Sequence, residues 1–360
     1  MRYFIFCLFI LNIIYFIVQF FLYRKYKIYE LNADFQPKLS IILPVFNEEN
    51  NIINTIKSIL SITYNNIIEL IIINDGSTDN SKEIIESFIK NINIKNRYIH
   101  FINFEQNQGK RTAIYQGIKY SHYDFIVTID SDTIVQHDTI LNLIQPFNDQ
   151  LVGAVAGNIK VNNHINIFTS MLNAAFCFGF GFLRPAQSSI GSVLCTPGAL
   201  STYRKSVIIN ELETWKNQQF LFHPAIIGED RALTNVILNK NYKVVYQENA
   251  IAYTNVPNSL SGMIKMFIRW IRGDIRESFI YCKLFFKSNT VYNKFLTIFN
   301  LVMQFVWLIS PFLLAYFIYI VILYNTYISF SIYFILLILF WIIPYCWITL
   351  YSSNWITRKN

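Results

Sequence analysis

Two aspartates stand two residues apart in Asp130-Ser131-Asp132, directly after the strand-like run Tyr123–Ile129. In an extended segment, residues two apart point the same way, so both carboxylates can face one ligand. A magnesium or manganese ion held by one or two carboxylates takes its remaining ligands from phosphates and water. That chemistry suits a nucleotide-diphosphate donor, although a solvated turn would use the same tripeptide. Asp75 follows another apolar run, and Gly76-Ser-Thr-Asp79 behind it allows a tight turn and a helix cap. As structure alone, that turn needs no substrate. A second acid pair, Glu229-Asp230, precedes a helical run over Arg231–Asn239, where capping is the plainest use of two carboxylates. Arg269-Trp270 adds a cation that can pair with phosphate and a ring that can stack on a sugar.

These residues sit at the ends of alternating elements. Leu39–Val45 reads as a buried strand ended by Pro44, and Glu49–Ser61 as a helix with Ile52, Ile53, Ile56 and Ile59 on one side. Ile67–Ile73 is a second strand, Ser81–Lys90 a helix, Tyr98–Asn103 a third strand, Lys110–Ser121 a helix and Tyr123–Ile129 a fourth strand. This is the rhythm of a doubly wound α/β sheet, whose ligands bind beyond the carboxyl ends of its strands. Asn47-Glu48, Asp75, Asp130 and Asp132 all lie at those ends.

In order, Pro44-Val-Phe-Asn-Glu48, Asn74-Asp-Gly-Ser77, Asn107-Gln-Gly-Lys-Arg111 and Asp130-Ser-Asp132 resemble the nucleotide-sugar half of glycosyltransferase family 2, which has the Rossmann-like GT-A fold. Cys195-Thr-Pro-Gly-Ala-Leu-Ser-Thr-Tyr-Arg204, Gly228-Glu-Asp-Arg231 and Arg269-Trp270 extend the resemblance to membrane-embedded polysaccharide synthases. Those synthases make hyaluronan, chitooligosaccharide, poly-N-acetylglucosamine and cellulose. Arg184-Pro-Ala-Gln-Ser188 and Gly228–Asn235 look most like the hyaluronan and chitin branch. The resemblance covers about residues 38 to 280.

The resemblance implies that Asp75 binds the uracil base, that Pro44, Asn47 and Glu48 line the nucleotide pocket, and that Lys110 lies near the diphosphate. Asp132 resembles the direct ligand of Mg2+ or Mn2+, with Asp130 on the ribose and metal side; metal and cations would together neutralise the departing UDP. Asp230 resembles the general base of an inverting transfer, with Glu229 its neighbour; adjacent residues diverge, so one of the two is expected to reach the acceptor hydroxyl. Arg269 and Trp270 resemble the acceptor mouth. The family has Gln three residues before that Arg, whereas this chain has Met266. A bland surface helix would also use Met263, Met266, Phe267 and Trp270 as an apolar stripe.

Charge is distributed in blocks along the 360 residues. Tyr3–Tyr23 and Phe295–Thr357 carry none, in a chain that is 53% hydrophobic, 14% charged and formally +8. A bilayer span takes about 20 apolar residues. The expected organisation is an anchor over 1–24, a GT-A domain over 38–258, interfacial helices over 259–290 and two spans over 295–357. Basic residues flank each apolar block (Arg24, Lys25, Lys27; Lys283, Lys287, Lys294; Arg358, Lys359), which places the catalytic domain on the cytoplasmic side of a multi-pass protein of the cell membrane. Anionic lipid explains these cations better than nucleic acid, and no nucleic-acid partner is expected. Five scattered cysteines suggest a reducing compartment and no structural metal. Phe168–Leu183, uncharged but only 16 residues, is expected to lie in the interface or roof an acceptor channel.

The resulting expectation is transfer of a sugar, N-acetylglucosamine first, from a UDP-sugar to a growing glycan. Non-processive transfer to a polyprenyl-phosphate or ceramide-like lipid is the alternative. Three spans and Met266 favour a short product, or an oligomer or partner subunit that completes a channel. A transporter is disfavoured because the apolar blocks contain no ionisable residue of the kind that marks an ion pathway.

Overall fold

The computed structural model describes residues 2–90, 92, 94–287, 297–306, 316 and 319. Helix α1 (Arg2–Lys25) precedes the alternating run β1 (Leu39–Val45), α2 (Ile52–Leu60), β2 (Ile68–Asn74), α3 (Ser81–Ile89), β3 (Arg97–Asn103), α4 (Lys110–Tyr120) and β4 (Phe125–Ile129). Then follow β5 (Thr133–Val135), α5 (Thr139–Ile144), β6 (Val152–Val161), α6 (Ile167–Phe178), α7 (Arg184–Ser188), β7 (Leu200–Arg204), α8 (Lys205–Ile208) and α9 (Leu212–Lys216). The short hairpin β8 (Gln219–Phe220) and β9 (His223–Pro224) leads into α10 (Glu229–Asn239), β10 (Lys243–Thr254) and α11 (Leu260–Lys287). A last described helix, α12, runs Thr297–Val306.

Eight strands form one mixed sheet in the order β3-β2-β1-β4-β7-β6-β10-β5. Its first half is the expected parallel unit, with every residue of β1, β2 and β4 buried. Pro44 is tolerated inside β1 because the ladder to β4 stops at Ile42–Thr128 while Pro44 itself lies opposite Ile73 of β2. The second half departs from a doubly wound sheet, since β7 runs antiparallel to both β4 and β6. Predicted boundaries shift most at α2, which starts at Ile52 and not at Glu49. The Glu49 N–H donates to Asp79 Oδ2, and its carboxylate accepts from the Asn80 N–H, so this residue is held by the neighbouring loop.

One apolar helix outside the sheet is longer than its sequence suggested. Ile167–Ser188 is one continuous helix of 22 residues, joined through a π-helical stretch at Gly179–Leu183. Arg184 ends the uncharged stretch but not the helix, so the expected 16-residue element is corrected to about 33 Å at 1.5 Å per residue. It is the one helix among the described residues that passes the test of length and apolar composition for crossing a membrane. Helix α1 packs along it, with Phe16 against Phe178, Tyr23 against Phe182, and Leu22 against Ala186 and Ile190. The two predicted C-terminal spans lie outside the described residues except for α12. That helix meets α1 through the Tyr15–Phe299 ring pair and a fully buried hydrogen bond from Gln19 Nε2 to Asn300 Oδ1 at 2.5 Å.

Because a lone buried amide costs about 1–3 kcal/mol, Gln19→Leu is expected to lower the melting temperature. The double substitution Gln19→Leu with Asn300→Leu should recover most of that loss. Equal melting of the single and double variants would show that the amide pair does not join the helices.

Candidate active site

The floor of the site is two βα loops zipped together. Asn47, in the left-handed region at φ 54°, accepts on Oδ1 from the Thr78 N–H at 2.8 Å, while its own N–H donates to Ser77 Oγ at 3.0 Å. The Glu48 N–H donates to Ser81 Oγ, and the Glu48 carboxylate accepts from Asn51 Nδ2. Asp75 is almost fully buried at the end of β2. Its two oxygens accept the Gln108 and Gly109 N–H groups at 2.7 and 2.9 Å, which fixes the turn that leads into Lys110. Burial raises its pKa, and the two amide bonds oppose that shift. Gly76 is required between these loops. It has φ 65°, and a Cβ there would stand 2.4 Å from the carbonyl carbon of Gln106.

Lys110, the first residue of α4, reaches across to two acids from different elements. Its Nζ lies 2.5 Å from Asp130 Oδ1 and 3.2 Å from Glu229 Oε1. Burial disfavours the ammonium, but Asp130 and Glu229 outweigh it and hold the group charged. Asp132 lacks such a partner. Its Oδ1 has only long contacts from the hydroxyls of Thr133 and Thr254, at 3.5 and 3.4 Å. Burial, then Asp130 and Glu48, push its pKa up to about 6. A carboxylate held among like charges, with no strong donor, is what a divalent cation would relieve. Among the described residues no three His, Cys, Asp or Glu side chains surround a common point. Asp132 and Asp130 are the carboxylates that could hold a divalent cation here, whose other ligands would then come from phosphate and water.

The acid pair opens α10, with Gly228 before it at φ 70°. Sequence reasoning placed both acids outside the helix, whereas they form its first turn. Their side chains diverge as adjacent residues should: Glu229 turns to Lys110, and Asp230 to the loop before β7. Asp230 Oδ2 accepts the Gly198 N–H at 3.2 Å, and Oδ1 accepts the Arg231 N–H at 2.7 Å. Burial, followed by the Glu229 charge, raises Asp230 to about 7. Burial also works against Glu229, but Lys110 and the helix-start amide hold it below its ordinary value. The pair thus splits into one firmly ionised acid and one poised near neutrality.

Helix α11 carries Arg269 and Trp270. Trp270 is 38% exposed, and its ring centroid lies 6.0 Å from that of Phe176. Met266 is buried with Val161, Leu172 and Val256, so the position where the family has Gln packs against α6 here. This helix approaches the acid pair at one point, where the backbones of Gly273 and Gly228 meet. The structure therefore brings Glu48, Lys110, Asp130, Asp132, Glu229 and Asp230 together, buries Pro44 within β1, and leaves Arg269 and Trp270 apart on α11. Sequence reasoning missed the Lys110–Glu229 pair and the Gly198 amide. The Cys195–Arg204 motif held the signal for Gly198, but its role needs the fold to bring β7 beside α10.

Fold and site together define a GT-A-like glycosyltransferase domain. Residues 40–210 match the model for glycosyl transferase family 2, and the chain belongs to that family. It is 34% identical over 288 residues to a hyaluronan synthase of Streptococcus pyogenes, covering 79% of this chain and 66% of that one. It is 31% identical over 244 residues to an N-acetylglucosaminyltransferase of Azorhizobium caulinodans, covering 67% and 61%. With a poly-beta-1,6-N-acetyl-D-glucosamine synthase of Staphylococcus aureus it shares 30% identity over 245 residues, covering 68% and 56%. The chain thus spans less than two thirds of the length of these relatives. Among solved structures, a mannosyltransferase of Pyrobaculum calidifontis in complex with GDP-Man and Mn2+ shares the fold, with TM-score 0.61, 16% identity and coverage of 92% and 97%.

Gly76→Ala is expected to push the Gln106–Gly109 turn off Asp75. Strain of about 1–3 kcal/mol at such a position should lower the melting temperature. Wild-type melting would show that the two loops are not packed as described.

Proposed function

We propose that this chain transfers a sugar, with inversion, from a UDP-sugar to a growing glycan at the cytoplasmic face of a membrane. N-acetylglucosamine is the sugar favoured by the names of two relatives. The observation that carries the reading is the split acid pair, with Asp230 near neutrality beside a Lys110–Asp130 pair at the carboxyl end of the sheet.

Each residue then has a physical task. Asp75 and the loop Pro44–Glu48 form the nucleotide pocket, with Asn47 fixing the shape of that loop. Lys110 lies where the diphosphate's charge grows as the bond to the sugar breaks. Mg2+ or Mn2+, bound by Asp132 and Asp130 with the diphosphate, would supply further neutralisation of the leaving UDP. Asp230 accepts the proton of the attacking acceptor hydroxyl, and the Gly198 and Arg231 amides hold its carboxylate in place. Glu229 stays ionised on Lys110, which keeps Asp230's pKa high enough for it to act as a base near neutral pH. Arg269 and Trp270 of α11 receive the acceptor.

The membrane assignment rests on α1, on the uncharged blocks and on their basic flanks. A lipid acceptor is the second reading, favoured by Met266. With an apolar side chain buried on α6, the acceptor mouth lacks one polar grip on a sugar chain. Either product length is decided by incubating the purified protein with separate UDP-sugars and sizing what forms. Failure to turn over any UDP-sugar, in the presence of Mn2+ and membrane lipid, would refute the proposal.

Two variants test the division of labour. Asp132→Asn should weaken Mn2+ binding in the presence of UDP by about tenfold or more, since even an outer-shell partner is worth 10–100-fold. UDP binding that ignores metal in the wild type would contradict this. Asp230→Asn should retain UDP affinity while transfer falls by about a hundredfold or more. Because a base must be ionised, wild-type transfer should rise with pH through about 7. Glu229→Gln removes the like charge and should move that limb to lower pH. An unmoved limb would deny Glu229 this role.

A further inference from the structure

Arg231 follows the proposed base directly and is only 3% exposed. Its guanidinium reaches three partners on two other helices. Nη1 donates to Asp274 Oδ1 at 2.6 Å, while Nη2 donates to Ser278 Oγ at 2.7 Å and to Gln304 Oε1 at 2.8 Å. Asp274 and Ser278 lie on α11, and Gln304 lies on α12. The backbone N–H of the same residue donates to Asp230 Oδ1. One residue therefore joins the carboxylate of the base to the helix that carries Arg269 and Trp270, and to the apolar helix beyond it.

We propose that Arg231 is a positioning residue for transfer, fixing Asp230 against the acceptor by locking the first turn of α10 to α11 and α12. The proposal rests on the functional reading above and deepens its acceptor half. Apolar packing alone would be a simpler way to join three helices, because a buried guanidinium must be desolvated. A planar fork whose two terminal nitrogens are bound on two helices, with Nε buried and unpartnered, instead fixes direction as well as distance. The close approach of Gly228 and Gly273 puts both backbones in contact one turn from this fork. Glu277, fully buried, extends the joint by accepting from Asn235 of α10 and Gln218 of the preceding loop. Lys110 and Asp132 take no part in it, so donor binding should not depend on Arg231.

The test uses the full chain in lipid nanodiscs with UDP-N-acetylglucosamine. Arg231→Lys keeps a charge but replaces the planar fork and its two separated nitrogens by a single ammonium; Gln304→Leu removes one partner without adding a charge. A misplacement of about 1 Å can cost about a hundredfold in rate. Arg231→Lys is accordingly expected to lower kcat by about tenfold to a hundredfold, with donor KM and UDP affinity within about twofold of wild type. Gln304→Leu should show a smaller loss of the same kind, and the two losses should not add. Hydrogen exchange at the Arg231 amide should quicken in both variants. If Arg231→Lys fails to fold, Gln304→Leu alone carries the same comparison. Unchanged kcat in folded variants would overturn the proposal, as would donor KM rising as far as kcat falls. Should the wild type transfer nothing from this donor, the functional reading fails separately, and unchanged exchange at the Arg231 amide would then overturn the positioning role.

Discussion

Five carboxylates converge beyond the ends of β1, β4 and the loop before α10, and they cannot all be charged without cations among them. At about 4 Å, two unit charges in a partly buried site repel by roughly 4 kcal/mol. Lys110 relieves two of the five, Asp130 and Glu229. Glu48, Asp132 and Asp230 are all pushed upward, first by burial and then by their like-charged neighbours. The proposed division of labour follows from that uneven sharing. An acid that lacks a cation awaits one, and an acid beside an ionised neighbour becomes a base near neutral pH.

The sheet supplies the geometry. Parallel strands deliver the chain to one end, where the βα loops begin. Hydrogen bonds between the Asn47–Glu49 and Ser77–Ser81 loops make a single surface of two loops. The antiparallel β7 then brings Gly198 back to the same end, and α10 starts against it. Helix α11 closes the arrangement from the side of α12, through Gly273 on Gly228 and through Arg231.

Much of this was legible in the residue order. Apolar runs ending in Asn47-Glu48, Asp75 and Asp130–Asp132 were enough to place three strands with polar residues at their carboxyl ends, because local pattern sets both. The divergence of Glu229 and Asp230 also follows from adjacency alone. The antiparallel second half was not legible, since β7 pairs with strands far away in sequence. Nor was the partner of each acid: Lys110 and Glu229 are separated by more than a hundred residues. The length of Ile167–Ser188 escaped notice because Arg184 interrupts the uncharged run, while helical hydrogen bonding is indifferent to a side-chain charge.

The central claim is that the carboxyl-end acids bind a divalent cation together with a nucleotide diphosphate. Electron–nuclear double resonance on the full chain with Mn2+ and UDP reads it directly. A phosphorus coupling from UDP phosphate bound directly to a protein-held Mn2+ is the expected result, abolished when Asp132 is replaced by Asn. UDP held by the protein with no phosphorus coupling to Mn2+ would contradict the account.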